Sequence, residues 1–224
     1  VRWDLFRSAA LSGGNILKTI VPPNLPTLHA ESFFLENEKV FSSINSEGGE
    51  LSGDAARNMI LKNSRIKKLI MHSTELELFE CSDVIFENCD FSNLEWIRGS
   101  FQRVIFKDCK LIGVNFAEGF LRDCQFIDCI ANLASFSDTK IKDVQFQNCR
   151  LTGADFYGLD WKNLGFSGSD LSESSWFKTK LAGLDLTGNE FEQIGLSMEL
   201  LRGLIVDQEQ AITIARGLGV IIRE

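Results

Sequence analysis

The sequence predicts an all-β solenoid, and two observations carry that prediction. From position 61 to position 196 every fifth residue is apolar, 28 positions without a polar exception. The series runs from Leu61, Ile66 and Met71 through Phe86, Phe91, Trp96, Phe101 and Phe106 to Leu186, Phe191 and Leu196. A helix repeats near 3.6 residues and a strand at 2, so neither accounts for a period of five. A short unbroken period means stacked, self-similar units. The second observation is that like residues recur 20 apart. Phe86, Phe106, Phe126, Phe146 and Phe166 form one series, Cys89, Cys109, Cys129 and Cys149 another, and Trp96, Phe116, Phe136, Phe156 and Trp176 a third. Four five-residue sides per coil place positions 20 apart at roughly the 4.8 Å strand spacing.

Taken in order, the chain divides into three parts. Residues 1–58 hold all three prolines, Pro22, Pro23 and Pro26, and lack a clean five-fold phase, so they are expected to be an extended lead-in that covers the first coil. Residues 59–201 carry the repeat and make about seven coils, a rod roughly 34 Å long. Residues 202–224 read as a strand–helix–strand cap. Gly203 to Val206 looks like a strand, Asp207 is an N-cap with Gln210 three residues on, and Gly217 ends the helix. Val220, Ile221 and Ile222 would be a last strand.

A second ladder sits two residues before the first, with mostly small occupants such as Val104, Cys109, Val114, Cys124, Ala134, Ala154 and Ser169. The residue between is often Asp or Asn, as in Val114-Asn115-Phe116, Ala154-Asp155-Phe156 and Ser169-Asp170-Leu171. This pattern resembles the pentapeptide-repeat family over roughly residues 59–201. The resemblance implies a right-handed, four-sided β-helix with 20 residues per coil.

All six cysteines fall on the two inward ladders, Cys81 on the large one and the other five on the small one. They are expected to be reduced thiols filling core slots. No Cys-x-x-Cys pair exists, which argues against zinc, and neighbouring coils hold their Cβ atoms wider apart than a disulfide prefers. Gly113, Gly153, Gly168, Gly183 and Gly188 recur at corner phases, where they allow tight turning. Catalysis finds no support. His29 and His72 are the two histidines, there is no phosphate loop or dinucleotide fingerprint, and a packed solenoid holds no dry cavity. No enzyme activity, cofactor or metal is expected.

Surface chemistry is the clue to a partner. Seven acids, Glu75, Glu77, Glu80, Asp83, Glu87, Asp90 and Glu95, occupy outward phases in the first coils, with no Lys or Arg between 69 and 97. Several pentapeptide-repeat proteins are thought to imitate duplex DNA and bind type II topoisomerases, so the resemblance brings DNA gyrase into view as a partner. Duplex DNA carries about one charge per 1.7 Å, and a 34 Å mimic would want roughly 20. This chain nets −8, and Arg103, Arg122, Lys140, Lys142, Lys162 and Lys180 stand on one side against Asp123, Asp143 and Asp160. Outward apolar residues, Ile112, Ile127, Ile130 and Leu133 with Tyr157 and Phe177, are candidates for a contact patch. The favoured reading is a scaffold presenting flat faces to a protein partner, with no direct binding of nucleic acid or membrane. Quinolone-resistance members of the family pair through their C-termini, which makes Ile212, Ile214, Leu218, Val220 and Ile222 a candidate homodimer interface. No run of about 20 apolar residues exists and residues 1–20 lack a secretory pattern, so a cytoplasmic, bacterial setting is the expectation.

Overall fold

The computed structural model describes residues 19–223. The part of the lead-in expected over residues 1–18 lies outside the described residues. Thirteen strands follow in chain order: β1 (His29–Ala30), β2 (Val40–Ser42), β3 (Ile44–Glu47), β4 (Ala55–Arg57), β5 (Ile60–Lys67), β6 (Glu75–Glu77), β7 (Glu80–Glu87), β8 (Ser100–Lys107), β9 (Phe120–Ile127), β10 (Lys140–Gln147), β11 (Asp160–Ser167), β12 (Ser174–Trp176) and β13 (Ile194–Leu196). A 3₁₀ turn at Met198–Leu200 and helix α1 (Gln208–Gly217) complete the chain.

Every strand pairing among these is parallel, and from β2 onward the register is 20 residues, as in Phe86↔Phe106 and Phe126↔Phe146. About eight turns separate Val40, which pairs with Ile60, from Ile205, which pairs with Asp185. The additional coil is N-terminal. Phe41, Ser46, Leu51 and Ala56 continue the five-fold phase upstream of Leu61, and β2 and β3 pair with β5. The phase fades in the sequence there because Ser46 and Ala56 replace large side chains.

The coil from 120 to 139 shows the plan. Its four faces are centred on the buried residues Leu121, Phe126, Ala131 and Phe136. Its corners are Asp123, Asp128, Leu133 and Asp138, with φ of 53°, 54°, 59° and 52°. Left-handed backbone favours Asn, Asp and Gly, so these types recur at corners along the chain. Gly113, Gly153, Gly168, Gly183 and Gly188 all have positive φ, and a Cβ on Gly153 would meet Leu133 Cδ2 at 2.8 Å. The Asp or Asn before each large residue has its own task. Its carboxyl or amide oxygen accepts the N–H two residues on, as in Tyr157 N–H to Asp155 (3.2 Å) and Ser172 N–H to Asp170 (2.9 Å).

The small inward ladder also satisfies backbone groups. Thr139 and Cys129 each donate to the carbonyl two residues back and to one 23 residues back in the preceding coil. Where the occupant is Ser, Thr or Asn it also accepts an N–H from the coil below, as in Cys149 N–H to Ser169 Oγ (3.1 Å) and Leu159 N–H to Thr179 Oγ1 (2.9 Å). Where the ladder residue is Ser, Thr, Asn or Cys, buried backbone groups are thereby paired. The large ladder stacks its rings along the axis. Phe106, Phe126 and Phe146 lie parallel with centroids 4.8 and 4.6 Å apart, and Phe116, Phe136 and Phe156 with 5.2 Å at each step. The two columns meet edge to face, Phe126 against Phe136 at 87°, a geometry that aromatic quadrupoles favour.

Both ends are closed. At the N-terminal end Phe33 packs on Phe41 at 5.0 Å and its N–H donates to Ser46 Oγ. At the other end α1 begins at Asp207 with the expected capping box to Gln210 and is followed by Leu218 as C-cap. Two expectations here are corrected. Gly203 to Val206 contributes a single bridge at Ile205, and Val220 to Ile222 forms no strand. No coil lies beyond α1 among the described residues to offer that last segment a pairing edge.

Candidate interaction surface

The outward residues of the repeat form flat columns, one coil step apart. The seven acids do not merge into one stripe. Glu75, Glu77 and Glu95 share the fourth face, where they line an open concavity with Ile97, Arg98 and Asn115. Farther along that face the column from Glu75 and Glu95 continues as Asn115, Ser135, Asp155 and Ser175, so the acid density falls. Asn115 Nδ2 donates to Glu95 at 2.7 Å, and Arg98 approaches Glu77 at 3.8 Å. Glu80 is exposed on the first face. Glu87 pairs with Lys67 at 3.1 Å on the second. Asp90 on the third pairs with Lys110 at 3.2 Å and lies 3.0 Å from His72 Nε2. Burial works against ionisation of Asp90, but hydrogen bonds from Ser92 and Lys110 and the His72 charge outweigh it and hold its carboxyl below the usual range.

Asp83 departs from the expected outward placement. It is a corner residue with φ 57° and only 6% exposure. Arg103, its neighbour one coil on, grips it with two bonds of 2.6 and 2.5 Å, and the Asn24 N–H donates to the same carboxylate at 2.9 Å. The lead-in therefore lies over this corner. Val21 N–H reaches Asp123 at 3.2 Å, and Asn63 Nδ2 donates to the Asn24 carbonyl at 2.9 Å. Ile85 and Ile105 point outward by register, flanked by the inward Val84, Phe86, Val104 and Phe106, yet are 3% and 1% exposed. Phase alone would place them at the surface. The three clustered prolines were the available sign that an extended segment crosses the rod.

The opposite charge is also partly absorbed. Arg122 lies 3.3 Å from Asp123, and Arg103 is held by Asp83. Lys140, Lys142, Lys162 and Lys180 remain at the surface of the first face, Lys142 the half-buried one. Trp161 occupies an inward phase but is partly exposed, its indole N–H donating to the Lys180 carbonyl at 2.7 Å. Among the apolar candidates Leu133 is 66% exposed at its corner, while Ile112, Ile127 and Ile130 are half-buried. Phe177 is exposed, and the Lys178 ammonium sits 4.9 Å from the centroid of the Tyr157 ring.

The C-terminal candidates split between two environments. Ile214 packs against the core and Ile212 is half-buried, whereas Leu218, Val220 and Ile222 are exposed. Gln210, buried at the helix start, donates from its amide to the Leu186 and Asn189 carbonyls, both at 2.7 Å. That anchor seats α1 on the last coil. All six cysteines are buried and unpaired. Burial raises the Cys81 and Cys109 thiols well above the usual range and pushes Cys124 up to about 12. Among the described residues no group of three His, Cys, Asp or Glu is placed to hold a metal ion. No described helix is long and apolar enough to cross a membrane.

A family model for the pentapeptide repeat region matches residues 99–176. Solved structures similar to the chain include full-length QnrB1, a plasmid-mediated fluoroquinolone resistance protein, at 20% identity over 77% of this chain and 100% of that one, TM-score 0.40. HetL from Nostoc sp. strain PCC 7120, a pentapeptide repeat protein involved in heterocyst differentiation regulation, is 16% identical over 75% and 92%, TM-score 0.37. A pentapeptide repeat protein from the Arabidopsis thaliana thylakoid lumen is 21% identical over 58% and 72%, TM-score 0.26. No curated protein sequence matches the chain.

Proposed function

We propose that this chain, a pentapeptide-repeat protein, is a non-enzymatic scaffold that presents flat β-helix faces to a protein partner. The observation that carries the reading is the local neutralisation of its charges. Glu77, Asp83, Glu87 and Asp90 each have a cation within 4 Å on the rod itself. What remains outward is a mixture of single acids, lysines and isolated apolar side chains on flat faces. Such a surface suits a protein contact, whose core is depleted in charge and whose rim is polar.

A DNA mimic of the gyrase-binding kind is the alternative that the family suggests. It calls for a continuous acidic stripe with spacing comparable to phosphates. The seven candidate acids are spread over different faces of the N-terminal coils, and Glu77, Asp83, Glu87 and Asp90 among them are paired with cations, which favours the scaffold. Affinity capture from native extract, followed by crosslink mapping, tests the reading. The expected crosslinks fall on the first, third or fourth face and survive moderate salt. Capture lost at slightly raised salt, with crosslinks confined to Glu75, Glu77, Glu80 and Glu95, would contradict it.

A further inference from the structure

We infer that the corner between the first and second faces is a recognition track for an extended, proline-rich segment, and that the chain's own Ile20–Pro26 occupies it in the resting molecule. The inference deepens the scaffold reading, on which it rests, by naming a class of partner segment. The crossing segment holds all three prolines of the chain and adopts no strand or helix. An extended proline-rich chain makes no internal hydrogen bonds, so its N–H and C=O groups are open to be read.

The spacing explains how the rod reads them. Polyproline II rises about 3.1 Å per residue, so three residues cover about 9.3 Å. Two coil steps cover about 9.6 Å. The two lengths nearly match, and the N–H groups three residues apart at Val21 and Asn24 meet carboxylates two coils apart at Asp123 and Asp83. Prolines 22 and 23, which have no N–H, fall between at the Arg103 coil. There the corner offers the Arg103–Asp83 pair and the outward Ile85 and Ile105, and Pro23 is buried. Asn63 reads the Asn24 carbonyl at the next coil. Donor, acceptor and apolar positions therefore repeat in the order the segment presents them. A partner bearing a segment of this kind docks by displacing Ile20–Pro26.

The test uses the full chain with a protease site inserted at the exposed Thr27, folded intact and then cut. The probe is a fluorescent peptide with the sequence of residues 19–27. The cut protein is expected to bind it saturably, and the uncut protein at least about tenfold more weakly, because its own segment competes in cis. Replacing Val21 and Asn24 by proline in the probe keeps the extended form but removes both N–H donors. That probe is expected to bind about tenfold or more weakly, the scale of losing bonds to charged acceptors. Equal binding of both probes overturns the track. Retention of the cut segment with no probe uptake also overturns it, making the segment a permanent staple. The assay contains no cellular partner, so its outcome is separate from success or failure of the capture experiment.

Discussion

Phe126 and Asp128 lie two residues apart and obey opposite constraints. Phe126 is fully buried between Phe106 and Phe146, while Asp128 is an exposed corner with φ 54° that accepts from Asn148. Phe126→Asp is expected to unfold the rod, since it removes a ring worth about 3–5 kcal/mol and buries an unpaired carboxylate. Asp128→Asn keeps a residue suited to the left-handed corner and is expected to stay within about 0.5 kcal/mol. Thermal melts of the two variants check this, and equal losses would overturn the register. The thiols give a second expectation. Native protein is expected to react slowly with a thiol reagent and all six cysteines to react in denaturant, because all six sulfurs are buried away from the reagent. Asp83 gives a third. Burial opposes its ionisation, but the Arg103 hydrogen bonds, the Asn24 N–H and the Arg103 charge outweigh that and lower its pKa. A lowered folded value means its stabilisation is complete above the unfolded value near pH ~3.9 and is lost as pH falls through the folded value. Denaturant midpoints of Asp83→Asn should therefore lie below wild type at neutral pH and converge with it in acid. A constant offset at all pH values would contradict the ion pair's role.

At the scale of elements, the sequence announces some features through short-range chemistry and conceals others that need the stacked coils. The start of α1 was legible because Asp207 and Gln210 are three residues apart and form a local capping box. The second role of Gln210 was not, since the carbonyls it holds are 24 and 21 residues away and meet it only when the last coil closes. Gln210→Ala is expected to remove the amide donor to the buried Asn189 carbonyl, at about 1–3 kcal/mol, while the Leu186 carbonyl keeps its bonds from the Asn189 backbone and side chain. Hydrogen exchange should then rise in α1 and the last coil while β7–β10 stay protected. Uniform loss of protection along the rod would contradict a local cap. The Val220–Ile222 segment had the composition of a strand, but composition supplies no pairing partner. The coil at Phe41–Ala56 was hidden for a related reason. A serine and an alanine fit inward slots near a closed end, and the pattern of large residues does not register them.

For the whole molecule the period of five fixes the inward and outward sides over most of the rod, which is why its core was readable residue by residue. The outer faces were less so. Phase separates inside from outside, but it cannot show that the lead-in bonds to Asp83 or that Ile85 and Ile105 are buried. Nor can it show that acids in one coil meet lysines or arginines in a neighbouring coil, as Glu87 meets Lys67 and Asp90 meets Lys110. Those pairings are the support for the proposed mixed surface over a mimic of duplex DNA. The most direct test is a DNA gyrase supercoiling assay at low and high salt. It compares wild type with a variant whose Glu75, Glu77, Glu80, Glu87 and Asp90 are made neutral. A scaffold of the kind proposed leaves supercoiling unchanged, or nearly so, in both proteins at both salt levels. Inhibition or protection of gyrase at micromolar protein that is weakened by salt and abolished in the folded variant would contradict the account.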